Sequence, residues 1–227
     1  MEQKHHRKIR SFVRRPGRTT EAQRKALKRL GSKFGIEFED RRIDLAGLFG
    51  REAKIVLDIG FGNGEALLTL AANNPDTDYL GVEIHEPGIG RLMLMLERAG
   101  LNNVRIIQAD AVDVVKIMLD DSSLDGINLF FPDPWPKKRH HKRRLVQPDL
   151  SMEFARVLKP HGRLHIATDW ENYAEHISEV IDATGEFLRF TPERLGAEPA
   201  TLRPPTKFER RGKLLGHGVW DFVYERR

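Results

Sequence analysis

Residues 54–65 read KIVLDIGFGNGE. The first six, Lys54–Ile59, are a short apolar run of the kind that fills a strand covered on both faces. Glycines at 60, 62 and 64 end that strand, and Glu65 opens the helical pattern EALLTLAA. Glycine lets the backbone turn sharply and approach a ligand with no Cβ in the way. A strand, a glycine turn and a helix together open a parallel α/β unit.

The same alternation continues outward. Strands are predicted at 78–84, 104–108, 125–131 and 163–168, with helices at 89–99, 112–119, 150–158 and 173–183. Pro160 and Gly162 close the third of these helices. Phe187–Phe190 and Val219–Glu225 read as late strands. Strands joined by short helical crossovers predict a doubly wound, mostly parallel sheet. No linker divides the chain after residue 50, so 51–227 reads as one domain. Residues 1–50 read as a basic, partly disordered arm with short helices near 20–30 and 44–49, Asp44 capping the second.

The 227 residues carry a net charge of +5 and no cysteine. Disulfides, thiolate catalysis and cysteine-bound metal are excluded, and a reducing, cytoplasmic setting is the expectation. No run approaches the ~20 apolar residues of a membrane span, and no apolar region follows the basic start as in a secretory signal. The charge is unevenly placed. Residues 1–30 hold eleven Lys or Arg against two Glu, and KKRHHKRR at 137–144 holds six and no acid. The remainder is acidic, with a net charge of −10. Two concentrated basic patches on an acidic body suit a phosphate-rich partner.

The glycine spacing is G-x-G-x-G, not the G-x-G-x-x-G of dinucleotide sites. Asp58 sits inside the strand end, where a carboxylate would repel a pyrophosphate and suit an ammonium group. Glu83 ends the second strand, placed to accept ribose hydroxyls. Asp110 follows the third, placed to accept an adenine amino group. Any one of these acids alone reads more readily as a helix cap or surface charge. Together they describe a ligand with an amine, a ribose and a base but no phosphate, which matches S-adenosylmethionine (SAM).

The fourth strand runs into FFPDPW (130–135). Prolines 132, 134 and 136 fix three φ angles and stiffen a strand end that presents Asp133 beside Trp135, an arrangement suited to a planar base. The basic run follows at once, and phosphate contacts there would give affinity and register. His140 and His141 are adjacent and do not converge like metal ligands, so no metal is expected. ATDW (167–170) brings Asp169 to the same edge. Residues 203–213, RPPTKFERRGK, read as a surface loop or as a lid returning to that edge.

D-I-G-x-G-x-G with an acid-ended second strand resembles the class I SAM-dependent methyltransferases. That resemblance implies a Rossmann-like sheet of seven strands with the last antiparallel. FFPDPW, RHHKRR (139–144), ATDW and RPPTKFERRG, in this order, resemble the bacterial tRNA (guanine-N7)-methyltransferases from about Ile55 onward. The resemblance implies that Asp58, Gly60, Gly62, Gly64, Glu83, Asp110 and Asp133 line the SAM site, with Asp133 catalytic. It implies that Lys137, Asp169, Thr206, Lys207, Phe208 and Glu209 meet the substrate guanosine. It also implies that Arg139, His140, His141, Lys142, Arg143 and Arg144 meet tRNA, and that the target is in the variable loop. No obligate protein partner is evident. Two other functions remain open: SAM-dependent methylation of an exocyclic amine, and non-catalytic RNA binding on this fold.

Overall fold

KIVLDI becomes the strand from which the sheet grows to both sides. The computed structural model describes residues 12, 18–214, 216 and 218–227. Thr20 caps α1 (Glu21–Phe34) through a reciprocal pair of hydrogen bonds with Gln23. β1 (Gly35–Ile36) follows, then α2 (Leu45–Phe49), which Asp44 caps as expected. The alternation then runs β2 (Lys54–Ile59), α3 (Glu65–Asn73), β3 (Thr77–Val82), α4 (Glu86–Ala99), β4 (Val104–Ile107) and α5 (Ala111–Asp113). It continues through β5 (Leu124–Phe130), α6 (Pro148–Val157), β6 (Leu158–Thr168), α7 (Glu171–Ala183) and β7 (Phe187–Arg189). The last elements are α8 (Pro192–Leu195), α9 (Lys207–Leu214) and β8 (Trp220–Arg226).

The strand order is β1-β4-β3-β2-β5-β6-β8-β7. Among the described strands, β8 alone runs against its neighbours, antiparallel to both β6 and β7. The chain winds outward from β2 to β4, then returns to lay β5 on the other side of β2. That reversal opens a crevice at the carboxyl ends of β2 and β5, where ligands of such sheets bind. Alternation along the strands feeds two cores. Ile55, Leu57 and Ile59 join one face with Phe154, Tyr173 and Ile177. Val56 and Tyr79 join the other, with Leu67 and Leu92.

Four details depart from the sequence reading. Among the described residues the sheet has eight strands rather than seven, because Gly35 and Ile36 pair beside Ile106 and Ile107; two residues carry no periodicity to detect. The helix expected at 112–119 is α5 followed by a π-helical turn, Val114–Met118. Its carbonyls take donors from two arginines: Arg42 reaches Lys116 O at 3.0 Å and Arg156 reaches Val115 O at 2.8 Å. β6 starts five residues early, because Leu124 pairs with Leu158 and Gly126 with Arg163, leaving an irregular stretch that contains Pro160 and Gly162. Residues 203–213 are not simply a loop, since α9 begins at Lys207.

Of the arm, residues 1–11 and 13–17 lie outside the described residues. α1 falls within the arm's boundary yet packs on α4: Leu30 and Phe34 are buried with Ile89, Met93 and Leu96. Each side chain of that size contributes about 1.5–3 kcal/mol when fully buried.

Candidate active site

A cleft of about 790 Å³ lies at the carboxyl ends of β2, β3, β4 and β5. Asp58, Gly60, Gly62, Gly64, Glu83, Asp110 and Asp133 all line it, as do Thr206 and Lys207. The glycine turn is left-handed at all three glycines, with φ of 70°, 58° and 79°. A Cβ on Gly60 or Gly62 would meet nothing within 4 Å, so that backbone stands open toward the cleft. Gly64 differs: its Cβ would lie 2.7 Å from Leu92 Cβ, so the third glycine lets α3 close on α4.

Asp58 is 4% exposed. It faces Asn128 across β2 and β5 and accepts a long 3.5 Å hydrogen bond from its amide. Burial drives its pKa up, the Asn128 bond pulls partly back, and the charge of Glu83 adds to the rise, leaving it at about 7. Glu83 accepts from Gly62 N–H at 2.8 Å, Ile84 N–H at 2.7 Å and His85 N–H at 3.0 Å. Besides facing the cleft, it therefore ties the glycine turn to the end of β3. Asp110 accepts from Val112 N–H at 3.0 Å and caps α5 while lining the cleft. For Asp110 the capping and binding roles coincide.

The strand end after β5 carries unusual backbone. Phe131 and Trp135 are left-handed without being glycine, at φ 55° and 46°. Such conformations cost about 1–3 kcal/mol each and persist only where the surroundings impose them. Asp133, between them, is exposed at the cleft. Arg144 holds the segment between them at Pro134. It is 2% exposed, donates to Pro134 O at 3.0 Å and to Asn172 Oδ1 at 2.7 Å, and lies 4.9 Å over the Tyr173 ring. The resemblance places Arg144 among the RNA contacts, but in the structure its guanidinium turns inward, onto Pro134 and Asn172. Its neighbours form a 3₁₀ helix, Lys138–Arg143. Arg139 and Lys142 are exposed on it, while Arg143 stacks 4.0 Å over Trp135 and donates to Phe12 O at 3.3 Å. His140 meets the Trp135 ring edge-on, and His141 Nε2 lies 3.2 Å from Arg144.

The residues implied for the guanosine are only partly brought together. Thr206 lines the cleft and caps α9 by accepting from Glu209 N–H at 3.1 Å. Glu209 does not line the cleft; it is buried, with its carboxylate 2.6 Å from Arg203 Nη1. Lys137 is exposed and Asp169 half-buried, both outside the lining. Phe208 lies in α9, but its side chain falls outside those described. The sequence reading missed His85 and Gln108, which line the cleft. Each stands two residues from an acid already chosen, Glu83 or Asp110, and a period of two could have found them. Phe12, Thr19 and Leu145 also line it and carry no such signal.

Among the described residues, no cluster of three metal-ligating side chains occurs, and no helix is long and apolar enough to cross a membrane. A family model described as "Putative methyltransferase" matches residues 52–222. A tRNA (guanine-N(7)-)-methyltransferase of Halorhodospira halophila is 50% identical, covering 97% of this chain and 96% of its own. Relatives of the same name in Alcanivorax borkumensis (48% identical; 97% and 92% covered) and Burkholderia vietnamiensis (51%; 98% and 87%) agree. Solved structures share the fold at low identity. The aminoglycoside resistance methyltransferase NpmB1 superposes with a TM-score of 0.55 at 16% identity, covering 84% of this chain and 95% of that one. The 16S rRNA methyltransferase KamB gives 0.54 at 15%, covering 94% and 96%.

Proposed function

This chain belongs to the tRNA (guanine-N7-)-methyltransferase family, and on that premise we propose that it transfers the methyl group of SAM to N7 of a guanosine in tRNA. The target is the variable loop, and the setting is the cytoplasm. One observation carries the reading: Asp58, Glu83, Asp110 and Asp133 meet an open glycine turn in a single cleft.

SAM, when bound, supplies an electrophilic sulfonium methyl. The residues present fit it. Asp58 receives the ammonium group, Glu83 the ribose hydroxyls and Asp110 the adenine amine, while Gly60 and Gly62 leave room for close approach. Guanine N7 carries an in-plane lone pair and no proton, so the nucleophile needs no general base. Asp133 instead accepts a guanine N–H and favours the positive charge that develops on the imidazole ring. Thr206 and Lys207 hold the base from another part of the rim. Aligning two reactants in this way is worth up to ~7–11 kcal/mol in favourable cases. The exposed cations Arg139 and Lys142 take tRNA phosphates, and Lys137 reaches the guanosine.

The test is incubation with labelled SAM and unmodified tRNA, followed by nucleoside analysis. Labelled 7-methylguanosine, which keeps a positive charge, is expected. N2-methylguanosine would assign the protein to exocyclic amines. tRNA binding without transfer would assign it to RNA binding alone.

Two further results follow from the cleft. Glu83→Ala lowers SAM affinity by roughly 10- to 150-fold, since hydrogen bonds to charged groups are worth ~1.5–3 kcal/mol. Glu83→Gln falls in between, because its amide oxygen still accepts from Gly62 N–H. Calorimetry giving Glu83→Ala wild-type affinity would remove this residue from the site.

The second is a pH dependence. With its pKa raised to about 7, Asp58 is largely protonated in the free protein at pH 6. A bound ammonium favours the ionised form. SAM affinity therefore rises between pH 5.5 and 7, by at most about tenfold per unit. In the unfolded chain Asp58 ionises near 3.8. Its burial thus takes stability away as pH rises from about 4 to about 7, because the folded state holds the proton longer. Asp58→Asn flattens both profiles. A wild-type SAM affinity that does not change over this range would place the ammonium elsewhere.

A further inference from the structure

Arg203 lies outside the cleft and is tied to two segments of its rim. Its side chain is fully covered. The guanidinium forks onto Asp221 of β8, Nε to Oδ1 and Nη2 to Oδ2, both at 2.7 Å. Nη1 donates to Glu209 in the first turn of α9 at 2.6 Å. The group also lies 5.1 Å from the Phe131 ring and 5.7 Å from Phe130. Beyond it, His165 Nε2 stands 3.0 Å from Asp221 Oδ1, and the His165 ring meets Phe130 edge-on at 5.0 Å. Burial works against the charge of Asp221, but the His165 and Arg203 bonds outweigh it and hold the carboxyl below its usual range.

Buried ion networks are weak sources of stability, but a bidentate fork fixes a geometry. The geometry fixed here is the gap between two segments. One is Phe131, which leads into Pro132 and Asp133. The other is the start of α9, with Thr206 and Lys207. Neither Arg203 nor Asp221 lines the cleft.

We propose that Arg203, braced by Asp221, is a positioning residue that sets the gap between the Asp133 strand end and the Thr206–Glu209 turn, and so aligns the target base with the methyl donor. The proposal rests on the methyl-transfer reading above. Misplacement by about 1 Å costs on the order of 100-fold in rate. A lysine in place of Arg203 keeps the charge but loses the fork.

Arg203→Lys and Asp221→Asn are the tests. Arg203→Lys should lower kcat about 100-fold and Asp221→Asn about tenfold. In both, the KM for tRNA should stay within about threefold and SAM affinity within about twofold. The double variant should be no worse than Arg203→Lys alone, since the two act as one brace. Amide hydrogen exchange should quicken at 206–210 in both variants and stay unchanged at 60–64. Wild-type kcat in either folded variant overturns the proposal. So does a loss of global stability with normal kcat in the folded fraction. If Arg203→Lys fails to fold, Asp221→Asn decides by the same readings. If the wild-type protein transfers no methyl to tRNA, the functional reading fails. Unchanged exchange at 206–210 in the variants would then overturn the brace itself.

Discussion

Asp133→Ala lowers the single-turnover rate of tRNA methylation by about 10²–10³-fold, the range seen when one preorganised group is removed from a transition state. SAM affinity falls far less than in Glu83→Ala, and the melting temperature stays near wild type. Asp133 is exposed at the cleft, and the left-handed residues on either side are held by other contacts. Phe131 N–H donates to Ala167 O at 2.7 Å, and Arg144 holds Pro134 O. The strand end therefore keeps its shape without the carboxylate. A rate within a few-fold of wild type would show that Asp133 orients nothing. Loss of the folded protein would make it structural.

Arg144→Ala has the opposite signature. Its guanidinium donates to Pro134 O, Asn172 O and Asn172 Oδ1 while covered by the rest of the protein. Hydrogen bonds to charged groups are worth ~1.5–3 kcal/mol each, and their loss strands buried acceptors. The variant should be less stable by about 3 kcal/mol or more in urea titration. Neutralising Arg139 and Lys142 together should leave stability unchanged. It should weaken tRNA binding and flatten the dependence of log K on log salt by about 1.5, at ~0.7–0.9 per phosphate. An Arg144→Ala protein as stable as wild type, with the flattened slope, would return this residue to the RNA surface.

The contrast between Arg144 and its neighbours shows what the sequence could reveal. KKRHHKRR is uniform as text, and nothing in it marks the last arginine as internal. That follows from Asn172 and Tyr173, which arrive from α7 nearly thirty residues later. The glycine turn was legible because its chemistry is local: three glycines and Asp58 lie within seven residues. The strand-end acids were legible because a parallel sheet sends every strand to the same edge. The pairing of Glu209 with Arg203 was not, because Arg203 is fixed by Asp221 on a strand whose place in the sheet the local pattern does not give. β1 escaped for another reason, being too short for its alternation to register. α1 shows how charge masks packing: its apolar stripe of Ala26, Leu30 and Phe34 is only three residues, set among the exposed cations Arg24, Lys25, Lys28 and Arg29 that dominate the segment's composition.

The place of β8 has a consequence for the order in which the protein is made. β8 is the last strand in the chain, yet it lies inside the sheet, between β6 and β7. Until residues 220–226 leave the ribosome, β6 has an unpaired edge of backbone N–H and C=O groups, and β7 has no neighbour to join. An open edge of that kind is a template for pairing with other chains. The cleft side of the sheet can assemble during synthesis, since β2 to β5 pair within the first 130 residues. The Arg203–Asp221 fork cannot. A nascent chain stalled before β8 would therefore combine a formed glycine turn with an open edge along β6, the kind of edge that makes incomplete chains prone to aggregate.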